Sequence, residues 1–285
     1  MVYTSKMGYQ ETINNLFSPL NESKAVYPPY PSYHTGPYLE EMVIEDSRKV
    51  GDRYLIPVFW TNVYKEGKNQ LLQSLISQLD VTKKYYCVCT HDDAPLETLP
   101  PNTMVFSAGG NNTNTIPIPL VVSPVPVSEN IKKDIEASFV GSYTHPLRAY
   151  MQRFCPEGYV TQMDPQWSER VTQERFEAFQ DRSMRSRFML CPRGYGPTSY
   201  RLYEAFQYGA VPVYISDRFW LPWAEDLEWD KLIIKITPDK IPSMQTIISS
   251  LSEEKRVTMV EYAKDIYEEF FSLRGVVNKI LDKVI

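Results

Sequence analysis

One stretch constrains the fold of this chain more tightly than any other: from Arg187 to Asp217 it reads R-F-M-L-C-P-R-G-Y-G-P-T-S-Y-R-L-Y-E-A-F-Q-Y-G-A-V-P-V-Y-I-S-D. The apolar run Phe188 to Cys191 predicts a short strand, and Pro192, with no amide hydrogen to give a neighbour, ends it. Gly194 and Gly196 allow backbone conformations closed to other residues and let main-chain amides approach a ligand. Thr198 or Ser199 suits the N-cap of a following helix, in which Leu202, Ala205 and Phe206 recur as a buried stripe. Gly209 closes that helix before the strand Val211 to Ile215. Strand, helix and strand in that order make a βαβ unit with parallel strands.

The junctions of this unit carry the chemistry. A helix start behind a glycine turn attracts anions, because its first amides are unpaired and the helix dipole adds partial positive charge. Arg193 in the turn adds a planar fork that matches a phosphate. Arg201 and Glu204 share a helix face at i, i+3, and a carboxylate on that face can accept both hydroxyls of a ribose. The alternative is that Arg201 and Glu204 form a surface ion pair and the glycines only make a turn. Neither the P-loop, with its Lys-Ser/Thr after the glycines, nor the G-x-G-x-x-G dinucleotide fingerprint is present.

Charge excludes one class of partner. A net charge of -5 and a pI near 5.4 argue against broad nucleic-acid binding, which favours a basic face. Positive charge is unevenly placed: between residues 134 and 230 there are ten arginines, Arg148, Arg193 and Arg201 among them, and no lysine. Cys87, Cys89, Cys155 and Cys191 have no C-x-x-C spacing, which fits a reducing compartment. The three histidines His34, His91 and His145 lack metal-ligand spacing, and no D-x-D pair occurs, Asp226-x-Glu228 being the nearest approach. Neither metal nor cofactor is expected. No stretch approaches the roughly 18 apolar residues of a membrane span, and the polar start Met1 to Leu16 lacks a signal peptide's apolar centre. A cytoplasmic location follows as an expectation.

The first half predicts a second α/β unit: a strand-like run Arg53 to Trp60, a helix Asn69 to Leu79, and strands Tyr85 to Thr90 and Met104 to Ser107. A helical segment near Ser128 to Glu136 leads to the strand Ser138 to Gly141, placing the boundary near residue 130, with domains 1–130 and 131–285. The segment Y-P-P-Y-P-S-Y-H-T-G-P-Y over residues 27–38 interleaves tyrosine with proline. Tyr30, Tyr33 and Tyr38, together with Trp60, are candidates to stack on acceptor sugar rings; a strap packed on the domain surface is the other reading. His91, Asp92 and Asp93 follow a buried strand, so each is a candidate base, with a carboxylate from Glu40 to Asp46 as a further possibility. Asp93 before Ala94-Pro95-Leu96-Glu97 also suits a helix N-cap.

The stretch 187–217 resembles the exostosin-like glycosyltransferases (family 47), whose signature is C-P-R-G, a small residue, S-x-R-L-x-E-A, G-x-V-P-V and an aspartate. The resemblance continues through Trp220-Leu221-Pro222-Trp223 and Asp226 to Trp229, and reaches back to Ser138-Phe139-Val140-Gly141-Ser142 and Thr144-His145-Pro146-Leu147-Arg148. The first half is similar to the acceptor half of soluble bacterial and large-DNA-virus members, unlike the Golgi-anchored animal and plant exostosins. The resemblance implies the GT-B architecture: two Rossmann-like domains facing across a cleft, acceptor on the first and sugar nucleotide on the second. The terminal helix packs back on the first domain in that picture. It implies inverting transfer from a UDP-sugar, taken as UDP-xylose, to a hydroxyl of an oligosaccharide or glycoprotein acceptor. Ser142, Arg148, Arg193, Gly194, Tyr195, Gly196, Thr198, Ser199, Arg201 and Glu204 then hold the nucleotide sugar. The rival reading is a catalytically inactive homologue that binds a nucleotide or glycan as an assembly partner.

Overall fold

The computed structural model describes residues 8–21, 37–46, 50–125, 131–168 and 171–285. The chain divides into two units, the first containing Gly36–Pro117 and Val277–Ile285 with the described part of the N-terminus, the second containing Ile118–Val276. The division falls at Ile118 rather than near residue 130. Past the division Ile118, Leu120 and Val122 are buried, and the Val125 amide donates to the Gln207 side chain of the second unit at 2.8 Å.

The first unit runs α1 (Tyr9–Phe17), α2 (Leu39–Asp46), β1 (Arg53–Leu55), α3 (Trp60–Lys65), α4 (Asn69–Ile76), β2 (Lys84–Cys89), β3 (Thr103–Ser107) and β4 (Ile116–Pro117). Its sheet has the order β1-β2-β3-β4, parallel throughout. The expected strand Arg53 to Trp60 stops at Leu55, because Pro57 cannot extend the ladder. Trp60 instead opens α3, entirely buried beside Val63, Leu72 and Ile76.

The second unit contains β5 (Ile135–Ser142), α5 (Pro146–Arg153), β6 (Val160–Asp164), α6 (Gln173–Arg185), β7 (Ser186–Pro192), α7 (Tyr200–Gln207), β8 (Val211–Ile215), β9 (Ile234–Ile236), α8 (Met244–Ser249) and α9 (Glu253–Phe270). The last helix, α10 (Leu273–Val284), starts here, and its residues from Val277 onward group with the first unit. The five-stranded sheet has the order β6-β5-β7-β8-β9, again all parallel. The βαβ unit read from residues 188–215 is present as β7, α7 and β8, with Leu202, Ala205 and Phe206 buried. The expected helix Ser128 to Glu136 is corrected where the structure describes it: Ile135 and Glu136 belong to β5, with Ile135 paired to Ser186 of β7.

Candidate functional site

Strand order places the site. In the second unit β5 connects through α5 to β6 on one side, while the adjacent β7 connects through α7 to β8 on the other. Such a 2-1-3-4-5 sheet opens a crevice beyond the carboxyl ends of the two central strands, where ligands of open α/β sheets bind. The loops there are Ser142 to His145 after β5 and Arg193 to Ser199 after β7.

Arg148 holds the two loops together. Its side chain is 8% exposed and donates from Nη1 to the Ser142 carbonyl at 2.8 Å, from Nε to the Arg193 carbonyl at 3.0 Å and from Nη2 to the Pro192 carbonyl at 3.3 Å. Arg193, 9% exposed, donates to Asp217 at 2.6 Å and to the Tyr195 carbonyl at 2.9 Å. The planar fork expected of Arg193 is therefore turned to Asp217 and the Tyr195 carbonyl: it braces the turn that carries it, and Arg148 braces the same turn from α5. Carbonyl dipoles hold the Arg148 guanidinium without cancelling its charge, whereas the Asp217 carboxylate balances that of Arg193.

Arg201 and Glu204 do form an ion pair at i, i+3, but it is buried rather than on the surface. Arg201 also donates to the Val140 carbonyl at 2.6 Å and lies 4.1 Å from the centre of the Phe179 ring. Ser199 occupies the N-cap position of α7; its hydroxyl makes no cap bond, and its carbonyl accepts the Leu202 amide at 3.1 Å. Thr198 is buried, and its carbonyl accepts from the Gly194 amide at 3.0 Å. Gly194 is tight: a side chain there would meet Arg148 Nη2 at 3.3 Å and Thr144 Oγ1 at 3.4 Å. Tyr195 is 59% exposed and Gly196 is buried.

Three further side chains lie at this crevice. Thr144 Oγ1 is buried without a hydrogen-bond partner. His145 caps α5, its Nδ1 accepting from the Leu147 amide at 3.2 Å. Burial and then Arg193 hold its imidazole below the usual histidine value, with Asp217 pulling the other way and Arg148 adding to the lowering. Asp217 is the third: burial raises its carboxyl, but the bond and charge of Arg193 outweigh that and hold it below the usual range. A cap residue before proline at the first helical position was the available signal for His145.

In the first unit the loop after β2 is built around close backbone contact. Gly109 is required there, since a side chain would come within 2.2 Å of the Asp92 Cα. Glu40, 1% exposed, accepts from the Thr90 amide at 2.8 Å and the Thr90 hydroxyl at 2.9 Å, bracing the start of the loop. His91 accepts the Asp93 amide at 3.2 Å and meets Tyr64 edge-on at 4.9 Å. Asp93 accepts from Asn111 Nδ2 at 2.8 Å and caps nothing, because residues 94–97 form no helix. His91, Asp92 and Asp93 are all partly exposed.

Of the acceptor candidates, Tyr30 and Tyr33 lie outside the described residues. Tyr38 is half-buried at the start of α2. Trp60 is corrected to a core residue with no exposed face to offer a sugar. Asp226 and Glu228 are exposed on either side of buried Leu227. Among the described residues no cluster of His, Cys, Asp or Glu is gathered for a metal, and no helix is long and apolar enough to cross a membrane. A cavity of about 840 Å³ lies elsewhere in the second unit, lined by Leu221, Leu227, Trp229 and Tyr262, with none of the crevice residues.

Two units on parallel sheets, one with a glycine-and-arginine turn at its switch point, define a mixed α/β protein of the make-up expected for the GT-B class. The chain belongs to the exostosin GT47 family: the Exostosin GT47 domain matches residues 102–251, just over half of its 285 residues. The crevice lies inside the matched residues and the loop 91–93 outside them. A probable glucuronosyltransferase of Oryza sativa subsp. japonica is 42% identical over 67 residues, 24% of this chain and 16% of that protein. A probable beta-1,4-xylosyltransferase of Arabidopsis thaliana is 37% identical over 70 residues, 25% of this chain and 17% of the relative. The matches thus span less than a fifth of either relative's length. Among solved structures, TarM is similar over 75% of this chain and 57% of its own, with a TM-score of 0.41 and 9% identity.

Proposed function

We propose that the chain is an inverting glycosyltransferase that moves xylose from UDP-xylose to a hydroxyl of a glycan acceptor. The observation that carries this reading is the β5–β7 crevice, with a helix start unoccupied by its own cap, a buried unpartnered hydroxyl and an arginine-braced wall, all within the family-matched residues. A diphosphate is the ligand such a wall suits, and Glu204 on α7 takes the ribose. In the reaction the base accepts the acceptor hydroxyl proton, the oxygen attacks the anomeric carbon, and the carbon–oxygen bond to the diphosphate breaks with its electron pair leaving on UDP. Single displacement inverts the anomeric centre and needs no second carboxylate as acid, unlike glycoside hydrolysis. The α7 amides and Arg193 offset the leaving charge, so a metal is not required.

Asp92 is taken as the base, with Asp93, whose carboxylate accepts from Asn111, and His91, which accepts the Asp93 backbone amide, as the alternatives. Xylose is supported by the xylosyltransferase relative, and the glucuronosyltransferase relative makes UDP-glucuronic acid the competing donor. Incubation with UDP-xylose should release UDP, and NMR of the product should show a β linkage from the α-configured donor. An α-linked product would refute inversion, and turnover of UDP-glucuronic acid alone would refute xylose. UDP binding without release from any UDP-sugar would instead identify an inactive assembly partner.

A further inference from the structure

The segment Thr144-His145 forms a second edge of the β5–β7 crevice, opposite the α7 turn. Three observations place it there. The Thr144 hydroxyl is buried, without a partner, and 3.4 Å from where a Gly194 side chain would begin. Arg148, one turn into the helix that His145 caps, is bonded to carbonyls of both crevice loops. The charged groups acting on His145 are Arg193 from the β7–α7 loop, Asp217 after β8 and Arg148 on α5, the very residues that brace that turn.

The cap fixes the chemistry of the ring. An Nδ1 that accepts the Leu147 amide carries no proton, so the neutral imidazole has its hydrogen on Nε2. Two guanidiniums and a helix start all disfavour a further positive charge at this position. The geometry points to His145 as a neutral hydrogen-bond donor, through Nε2, to the diphosphate of the sugar nucleotide, its tautomer locked by the α5 cap. The inference rests on the reading that the second unit binds a sugar nucleotide. Neutrality suits the role: the ring adds a directed donor without competing with Arg193 for Asp217.

Two amide substitutions separate donation from capping. Glutamine places an N–H where Nε2 lies but caps poorly, whereas asparagine is among the strongest caps and does not reach that far. The probes are UDP and uridine, titrated calorimetrically into the full chain, with thermal unfolding measured in parallel. His145→Asn should keep wild-type thermal stability and uridine affinity while losing about tenfold to a hundredfold in UDP affinity, the range for a hydrogen bond to a charged group. His145→Gln should recover most of the UDP affinity despite a lower Tm. Undiminished UDP binding in His145→Asn, or an equal loss for uridine, would overturn the donor role and leave only the cap. A wild-type chain that binds no UDP would sink the sugar-nucleotide reading itself, an outcome distinct from either.

Discussion

The Arg201–Glu204 pair shows how burial changes the meaning of a spacing. Read from i, i+3 alone it is either a ribose clamp or a solvated ion pair worth well under 1 kcal/mol. In the structure its side chains are 13% and 6% exposed, and breaking a buried pair typically costs about 3–5 kcal/mol because one charge is stranded. Glu204→Gln, which keeps one acceptor oxygen, is expected to cost about 3 kcal/mol in denaturant unfolding, and an unchanged midpoint would show that solvent screens the pair. Histidines set a second residue-scale expectation. His91 is held below its usual value by burial, with Asp93 pulling up and Lys65 down, and His145 is lowered likewise. Unfolded histidine takes its proton near pH 6.5 and these folded rings only at lower pH, so in between the unfolded chain binds more protons and stability falls as pH falls. Asp217 has the opposite starting point: its stabilisation is present above the unfolded carboxylate value of 3.8 and is lost only as pH falls further, through its depressed folded value. Tm should therefore drop between pH 7.5 and 5.5, and His91→Gln with His145→Asn should flatten that drop; a drop of unchanged size would assign it to other groups. The spacing of Arg201 and Glu204 was legible in the sequence, but their burial was not, since it depends on Phe179 of α6 and Val140 of β5, both remote along the chain.

Among elements, those with a strong internal period were the most readable. The segment β7-α7-β8 carries its own turn, stripe and stop signals, and β2 and β3 were found within a residue. The strand Arg53 to Trp60 was overextended because an apolar run continues past Leu55 into a buried loop that pairs only once more, through the Ile56 amide and the Tyr86 carbonyl at 2.9 Å. The helix expected after Asp93 failed for a different reason: the Asp93 side chain holds Asn111 from the next loop instead of its own backbone. Glycines grade the cost of filling these junctions. Gly109→Ala puts a methyl 2.2 Å from the Asp92 backbone, which no side-chain rotation can relieve, and should destabilise by more than the roughly 1–3 kcal/mol of ordinary overpacking. Gly194→Ala meets side-chain atoms at 3.3 and 3.4 Å and backbone only at an ordinary 3.8 Å, so it should fold, while UDP binding weakens as the methyl enters the crevice. Gly158, with nothing within 4 Å, serves as control. Equal stability for Gly109→Ala and Gly158→Ala would mean that the loop before Gly109 shifts freely, and the fixed placement of Asp92 would fail with it.

For the molecule as a whole, the question is whether the two units divide one reaction between them. The matched family domain covers the crevice and not the loop 91–93, so the resemblance supports the nucleotide half of the proposal more than the base. The two halves must then separate experimentally. Arg193→Ala removes the guanidinium that braces the turn against Asp217 and the Tyr195 carbonyl, and on the proposed reading should weaken UDP binding by about tenfold to a hundredfold. Asp92→Asn should leave UDP affinity unchanged and lower transfer by about a hundredfold to ten-thousandfold, the contribution of a positioned base. Normal transfer by Asp92→Asn, with the fold intact, would move the base to Asp93, to His91 or to Glu40, whose buried carboxylate already braces Thr90. Addition of EDTA completes the separation, because in the proposed reaction the leaving-group charge is offset by fixed dipoles at the α7 start and by the arginines of the crevice. Transfer should persist in chelator at close to its full rate. Complete loss, restored by manganese or magnesium, would show that the leaving diphosphate depends on a cation and that the protein's own charges are insufficient.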